Sequence, residues 1–338
     1  MAMYPLLHGS DVITKHGPIL TKDDMPFKAS LIFNAGVAKF NGKYVMVFRN
    51  DYGDIDGEYD PANGKLFEGT SVGVAFSDNG IDGWEVRKMP LTDCPILFDG
   101  EDGRLYDPRL TIIDGVPYLC MARDTKHGIR GVIARVSPEF DSFEILHTTV
   151  PDNRNMALFP EKIGGMYVRF ERPMPVYGRG RDRFDFWLSV SPDLRFWGDS
   201  KLVLGVEDVP YANDKIGPAA PPIKTEKGWL ATFHAVDRDD TRGKNGWEKK
   251  WTKRYCAGLV LLDLDDPSKV IGMVKPPLIA PEEPYEVTEG FREDVIFPGG
   301  MILEDSGEVK IYYGASDTVE CLATADVNDL LKLCTESK

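Results

Sequence analysis

The stretch DNRNMALFPEKIGGMYVRFERP, residues 152–173, places Arg154 and Arg172 around an apolar strand, a Gly-Gly turn and a second apolar strand. A hairpin returns to the end where it began, so this pattern predicts two guanidinium groups side by side. Guanidinium grips phosphate or carboxylate through a planar fork, and a pair of them predicts a fixed anion. Lys215 and His234 add to the same electropositive set. Each of these could instead pair with one of the 54 acidic side chains. Their concentration at matching places in the chain favours an anion site. Among the carboxylates, Asp107 lies in LYDPRL. Pro108 is expected to hold it extended, and Asp-Pro also opens turns, so position alone reads equally as acid catalyst or turn residue. Asp317, in YYGASDT, is placed to hold sugar hydroxyls.

These residues must be positioned by a recurring element. An apolar strand, a glycine turn and a strand rich in aromatic and β-branched residues recur five times. They read NAGVAKFNGKYVMVFRN, DPRLTIIDGVPYLCMAR, ALFPEKIGGMYVRFER, APPIKTEKGWLATFHAV and GGMILEDSGEVKIYYGAS. A second strand pair follows each: GVAFSDNGIDGWEV, VIARVSPEFDSFEI, FWLSVSPDLRFWGD, GLVLLDLDDPSKVIG and the shorter CLATADVNDLL. Two hairpins make one four-stranded antiparallel blade. Five such units predict an all-β fold, a five-bladed β-propeller spanning 1–338 as one catalytic domain. A two-sheet sandwich is the alternative, but it does not account for five copies of one phrase. Helix signals are nearly absent before VNDLLKLC, where one terminal turn is expected. Asn34 and Asp107 each precede their turn glycine by eight residues. Arg49, Arg123, Arg172, His234 and Asp317 follow the second strand of a hairpin. Both sets are predicted to face one mouth of the central channel.

Composition narrows the function classes. A formal net charge of -14 disfavours nucleic acid and anionic membranes as partners. No apolar run has the length of a membrane span, and the first residues lack the pattern of a signal peptide. Five scattered cysteines without a C-x-x-C pair predict reduced structural thiols and a cytoplasmic setting. The acidic loop at 50–60 fails the register of an EF-hand, so no metal is expected there. YGRGRDRFD at 177–185 is one basic turn in an acidic chain, weak ground for nucleic-acid binding. No P-loop, dinucleotide fingerprint or G-x-S-x-G elbow occurs.

In combination and order, FNAGVAKFNGKYVMVFRND, YDPRL, NRNMALFPEKIGGMYVRFERP, DKIGPAAPPIKTEKGWL, YCAGLVLLDLDDPSKV and YYGASDT resemble the β-mannoside phosphorylases of glycoside hydrolase family 130. The resemblance covers most of the chain and implies the same propeller. It implies that Asp107 is the general acid, acting through a hydroxyl of the bound mannose. Arg154, Arg172, Lys215, His234 and Tyr255 match the phosphate-holding positions; Asn34, Arg49 and Asp317 match positions around the mannose ring. Inorganic phosphate is then co-substrate, with no further cofactor, and the products are α-mannose 1-phosphate and a shortened sugar. The expected substrate is a β-1,4-mannooligosaccharide. Mannosyl-glucose and β-1,2-mannosides are alternatives, and a non-catalytic carbohydrate-binding propeller is an alternative of another class. A homo-oligomer is expected. The insertion at 50–69 and the segment 237–254, with Trp247 and Trp251, depart from the family and are expected to flank the acceptor side.

Overall fold

Short runs alternating between apolar and polar residues, closed by turns that need positive φ, fold as antiparallel strands. Asn41-Gly42 (φ 49° and 77°) and Asp114-Gly115 (φ 50° and 74°) are such turns, and their handedness matches the twist of the strands they join. The computed structural model describes residues 7–54, 67–95, 103–174, 184–239 and 252–336. Among these residues, five antiparallel sheets form the five blades of a propeller. The five repeated phrases are the two inner strands of each blade. They are Leu31–Phe40 with Lys43–Tyr52, Leu105–Ile113 with Val116–Thr125, Asn153–Leu158 with Tyr167–Pro173, Lys215–Pro218 and Ile223–Thr225 with Gly228–Arg238, and Ile296–Leu303 with Glu308–Ala315. In the fourth blade the innermost strand is broken in two between Pro218 and Ile223.

The fifth blade departs from the expected order. Its third strand, Val319–Asp326, is not followed by a fourth. The chain enters a helix, Val327–Glu336, which is ten residues long rather than one turn and buries Leu330, Leu331 and Cys334. The outer strand comes instead from Thr14–Leu20, which pairs antiparallel with Val319–Asp326. Lys15 on this strand reaches the fully buried Glu286 at 2.6 Å, and Glu286 also accepts from the Tyr313 hydroxyl at 2.9 Å.

Apolar side chains fill the spaces between blades. Phe159, Phe170, Phe186 and Trp229 pack edge-to-face at 4.6–5.0 Å where the third and fourth blades meet. Near the axis the innermost strands press backbone on backbone. A Cβ at Gly36 would lie 2.3 Å from the Leu110 nitrogen, and one at Gly299 2.1 Å from the Ala35 carbonyl oxygen. Only glycine allows that approach. Cys120, Cys256, Cys321 and Cys334 are buried, and the five cysteines form no disulfide. Among the described residues no helix is long and apolar enough to cross a membrane. The expectations for the acidic insertion, the basic turn at 177–185 and Trp247 and Trp251 fall wholly or mainly outside the described residues.

Candidate active site

The innermost strands of the first three blades share one irregularity. Register shifts between Phe33 and Gly36, Tyr106 and Arg109, and Arg154 and Ala157. Each bulge holds one residue in the left-handed region: Asn34 (φ 55°), Asp107 (φ 53°) and Asn155 (φ 56°). Asp107 is therefore not extended, despite Pro108. The bulge sets its backbone, and Asn and Asp are the non-glycine residues that best tolerate this conformation. Bulges re-aim side chains, and all three residues line a single cavity with Arg49, Arg154, Arg172, Lys215, Tyr255, Arg292 and Asp317. Its volume is about 150 Å³, many times what one water needs.

Asp107 is the hub. Its Oδ1 accepts from Asn34 Nδ2 at 3.0 Å and Arg49 Nη1 at 3.0 Å, and its Oδ2 accepts from Arg154 Nη2 at 2.7 Å. Burial pushes the carboxyl up, but Arg49, Arg154 and Arg109 together outweigh it and hold Asp107 well below the usual carboxylate range. Arg49 is fixed from its other side by Asp51, at 2.5 Å from Nη2, and lies over the rings of Phe33 and Tyr106. Beneath them Arg109 is buried. Its Nη1 donates to the carbonyls of Asn34 (3.2 Å) and Pro108 (2.9 Å), tying together the two bulges that carry Asn34 and Asp107. Glu320, also buried, accepts from the Ala35 nitrogen at 3.1 Å. Burial raises its carboxyl to about 8.

Arg154 and Arg172 stand directly opposite each other on paired strands. Among the described residues, neither Arg172 nor Lys215 has a carboxylate within ion-pair distance. Burial, then the charge of Arg154, lowers Arg172 to about 9. Burial, then Arg172, holds Lys215 well below an ordinary lysine. Lys215 lies 5.2 Å over the Tyr255 ring, and burial pushes that phenol up, so it stays protonated as a donor. His234 is not in the cavity wall. It sits behind Arg172, with Nε2 at 3.0 Å from Arg172 Nη1 and Nδ1 at 3.2 Å from the Pro218 carbonyl. A guanidinium has no acceptor, so Nε2 accepts and Nδ1 donates. Burial, followed by the charges of Arg172 and Lys215, keeps the ring neutral. Across the cavity Asp317 pairs with Arg292 at 3.2 Å; burial raises its carboxyl against the pull of Arg292 and Arg49.

Eight of the nine expected site residues thus line one cavity, and His234 supports it from behind. Arg123 does not line it. Asn155 was not anticipated, because the longer Gly164-Gly165 turn spoils a count back from the glycine. Matching FNAGV, YDPRL and RNMAL by strand phrase finds it. Arg292 precedes the fifth repeat and carries no such signal.

The sequence profile of glycoside hydrolase family 130, described as beta-1,4-mannooligosaccharide phosphorylase, matches residues 10–336. The chain belongs to this family. Within family 130 it is 31% identical over 335 residues to a beta-1,4-mannooligosaccharide phosphorylase of Ruminococcus albus, covering 95% of this chain and 90% of that one. It is 29% identical over 315 residues to a 1,2-beta-oligomannan phosphorylase of Thermoanaerobacter, covering 92% and 95%. The beta-1,2-mannobiose phosphorylase of Listeria innocua, solved with beta-1,2-mannobiose, superposes with a TM-score of 0.78 at 25% identity, over 96% of this chain and 99% of that one.

Proposed function

We propose that this family 130 member is an inverting β-mannoside phosphorylase. It removes the non-reducing terminal mannosyl unit of β-1,4-mannooligosaccharides with inorganic phosphate, giving α-mannose 1-phosphate. The observation that carries this is the pair of cationic side chains, buried Arg172 and half-buried Lys215, lining one cavity with Asp107 and without carboxylate partners among the described residues. An uncompensated buried charge costs several kcal/mol, and a bound anion offsets that cost. An inverting glycosidase needs a second carboxylate to activate water. Phosphate is already a nucleophile, so one acid suffices.

In this reading Arg154, Arg172, Lys215 and the Tyr255 phenol orient phosphate against the anomeric carbon, with His234 holding Arg172. Asn34, Arg49 and Asp317 hold the mannose ring. Asp107 delivers the proton to the departing oxygen through a mannose hydroxyl. A charged product is retained by a membrane, which fits a cytoplasmic enzyme.

The β-1,2 linkage is the second reading, favoured by the similarity to the Thermoanaerobacter and Listeria proteins. Mannobioses of defined linkage, incubated with and without phosphate and assayed for mannose 1-phosphate, test both. Preference for the β-1,4 compound supports the first reading and preference for the β-1,2 compound the second. Free mannose released at equal rates without phosphate overturns phosphorolysis.

A further inference from the structure

Resting on the phosphorolytic reading, we propose that Arg154 is exchanged between Asp107 and the incoming anion, so that Asp107 acquires its catalytic proton only once phosphate is bound. A general acid must carry a proton, yet among the described residues every hydrogen bond to the Asp107 carboxylate comes from an N–H donor: Asn34, Arg49 and Arg154. That arrangement selects the carboxylate. The charges of Arg49 and Arg154 oppose its protonation, and release of one of the donors eases it.

The anchoring of the three identifies which. Asn34 is held by its bulge, and Arg109 pins its carbonyl. Arg49 is clamped by the buried Asp51, which the Thr70 hydroxyl steadies in turn at 2.6 Å. Arg154 is the exception: among the described residues its ion-pair partner is Asp107, and its Nε is buried without a hydrogen-bonding partner. It also faces Arg172 across paired strands, where an anion bridging both guanidiniums would sit. A phosphate dianion offers two negative charges against the single charge of Asp107 and so competes for the fork.

Once Arg154 turns, Oδ2 loses its donor and a dianion stands nearby. The remaining charges facing Asp107 are Arg49, Arg109 and Arg172, the last now matched by phosphate, with Asp317 opposing ionisation. Tyr106 contributes a neutral phenol. Burial, the largest influence on this carboxyl, then favours the protonated form. The proton comes from solution to Oδ2. In turnover it passes, through the mannose hydroxyl, to the glycosidic oxygen as the carbon–oxygen bond breaks and the phosphate–carbon bond forms. Departure of mannose 1-phosphate returns Arg154 to the carboxylate.

The test is infrared difference spectroscopy of the enzyme with and without inorganic phosphate, in the absence of sugar, with phosphate binding followed by calorimetry. A protonated-carboxyl C=O band should appear in the wild type on adding phosphate and be lost in Asp107→Asn. Arg154→Gln should show the band before phosphate is added and no further change afterwards. Phosphate binding without a new band, or with the same band in Asp107→Asn, overturns the exchange and leaves phosphorolysis standing. Absence of binding heat, with phosphate-dependent turnover intact, also overturns it. Phosphate-independent turnover would instead remove the underlying function.

Discussion

Asn34, Asp107 and Asn155 occupy one structural position in three blades, and the backbone selects them as firmly as the chemistry does. Asp107→Asn keeps a residue that tolerates positive φ and should lower turnover by about 10²–10⁴-fold, the usual contribution of a general acid; steady-state rates check this. Asp107→Ala should be about 1–2 kcal/mol less stable than Asp107→Asn in urea unfolding, because alanine resists the left-handed region. Arg172→Ala should raise the Michaelis constant for phosphate by roughly 10- to 150-fold, the loss of a charged hydrogen-bonding partner, and that for the mannoside far less. Arg172→Lys should recover part of it, and initial rates against phosphate concentration decide. Most of this site was legible because hairpins return their ends to one place, which joined Arg154 to Arg172 and Asn34 to Arg49. Arg109 was not, since two of its partners are the carbonyls of Asn34 and Ala219, brought near only by closure of the ring. The neutrality of His234 was equally hidden, because it follows from burial beside Arg172 and Lys215.

Four blades could be read from the repeated phrase because their strands pair with partners close in sequence. The outer strand of the fifth could not, because Thr14–Leu20 pairs with a strand from the other end of the chain and shares no phrase with it. Its attachment rests on more than the ladder. Lys15 supplies the positive partner of Glu286, whose carboxylate also accepts from the backbone nitrogens of Glu282 and Glu283. Breaking a buried pair from one side costs about 3–5 kcal/mol. Lys15→Met should fall near the low end, because Tyr313 and the two nitrogens remain. Thermal unfolding should show a lower Tm, while turnover at low temperature stays unchanged, since blade five meets the cavity through other residues.

The blades close around a floor of charge, and that floor couples the whole molecule to pH. Glu320 is fully buried, and its carboxyl is raised from 4.5 to about 8. The folded state therefore binds this proton more tightly than the unfolded chain does. Its stabilising share is complete below about 4.5 and is lost as pH rises through 8. Glu320→Gln should flatten the decline in Tm between pH 5 and 8 relative to the wild type, measured by calorimetric scans across that range. Parallel scans that decline equally would place the proton elsewhere. The borrowed outer strand carries a consequence for synthesis. Thr14 pairs with Thr324, so about 310 residues separate a strand from its partner. At 5–20 residues per second the ribosome takes roughly 15–60 s to cover that distance. Throughout that interval Thr14–Leu20 has no ladder to join, and any blade that assembles on the nascent chain does so with the ring still open.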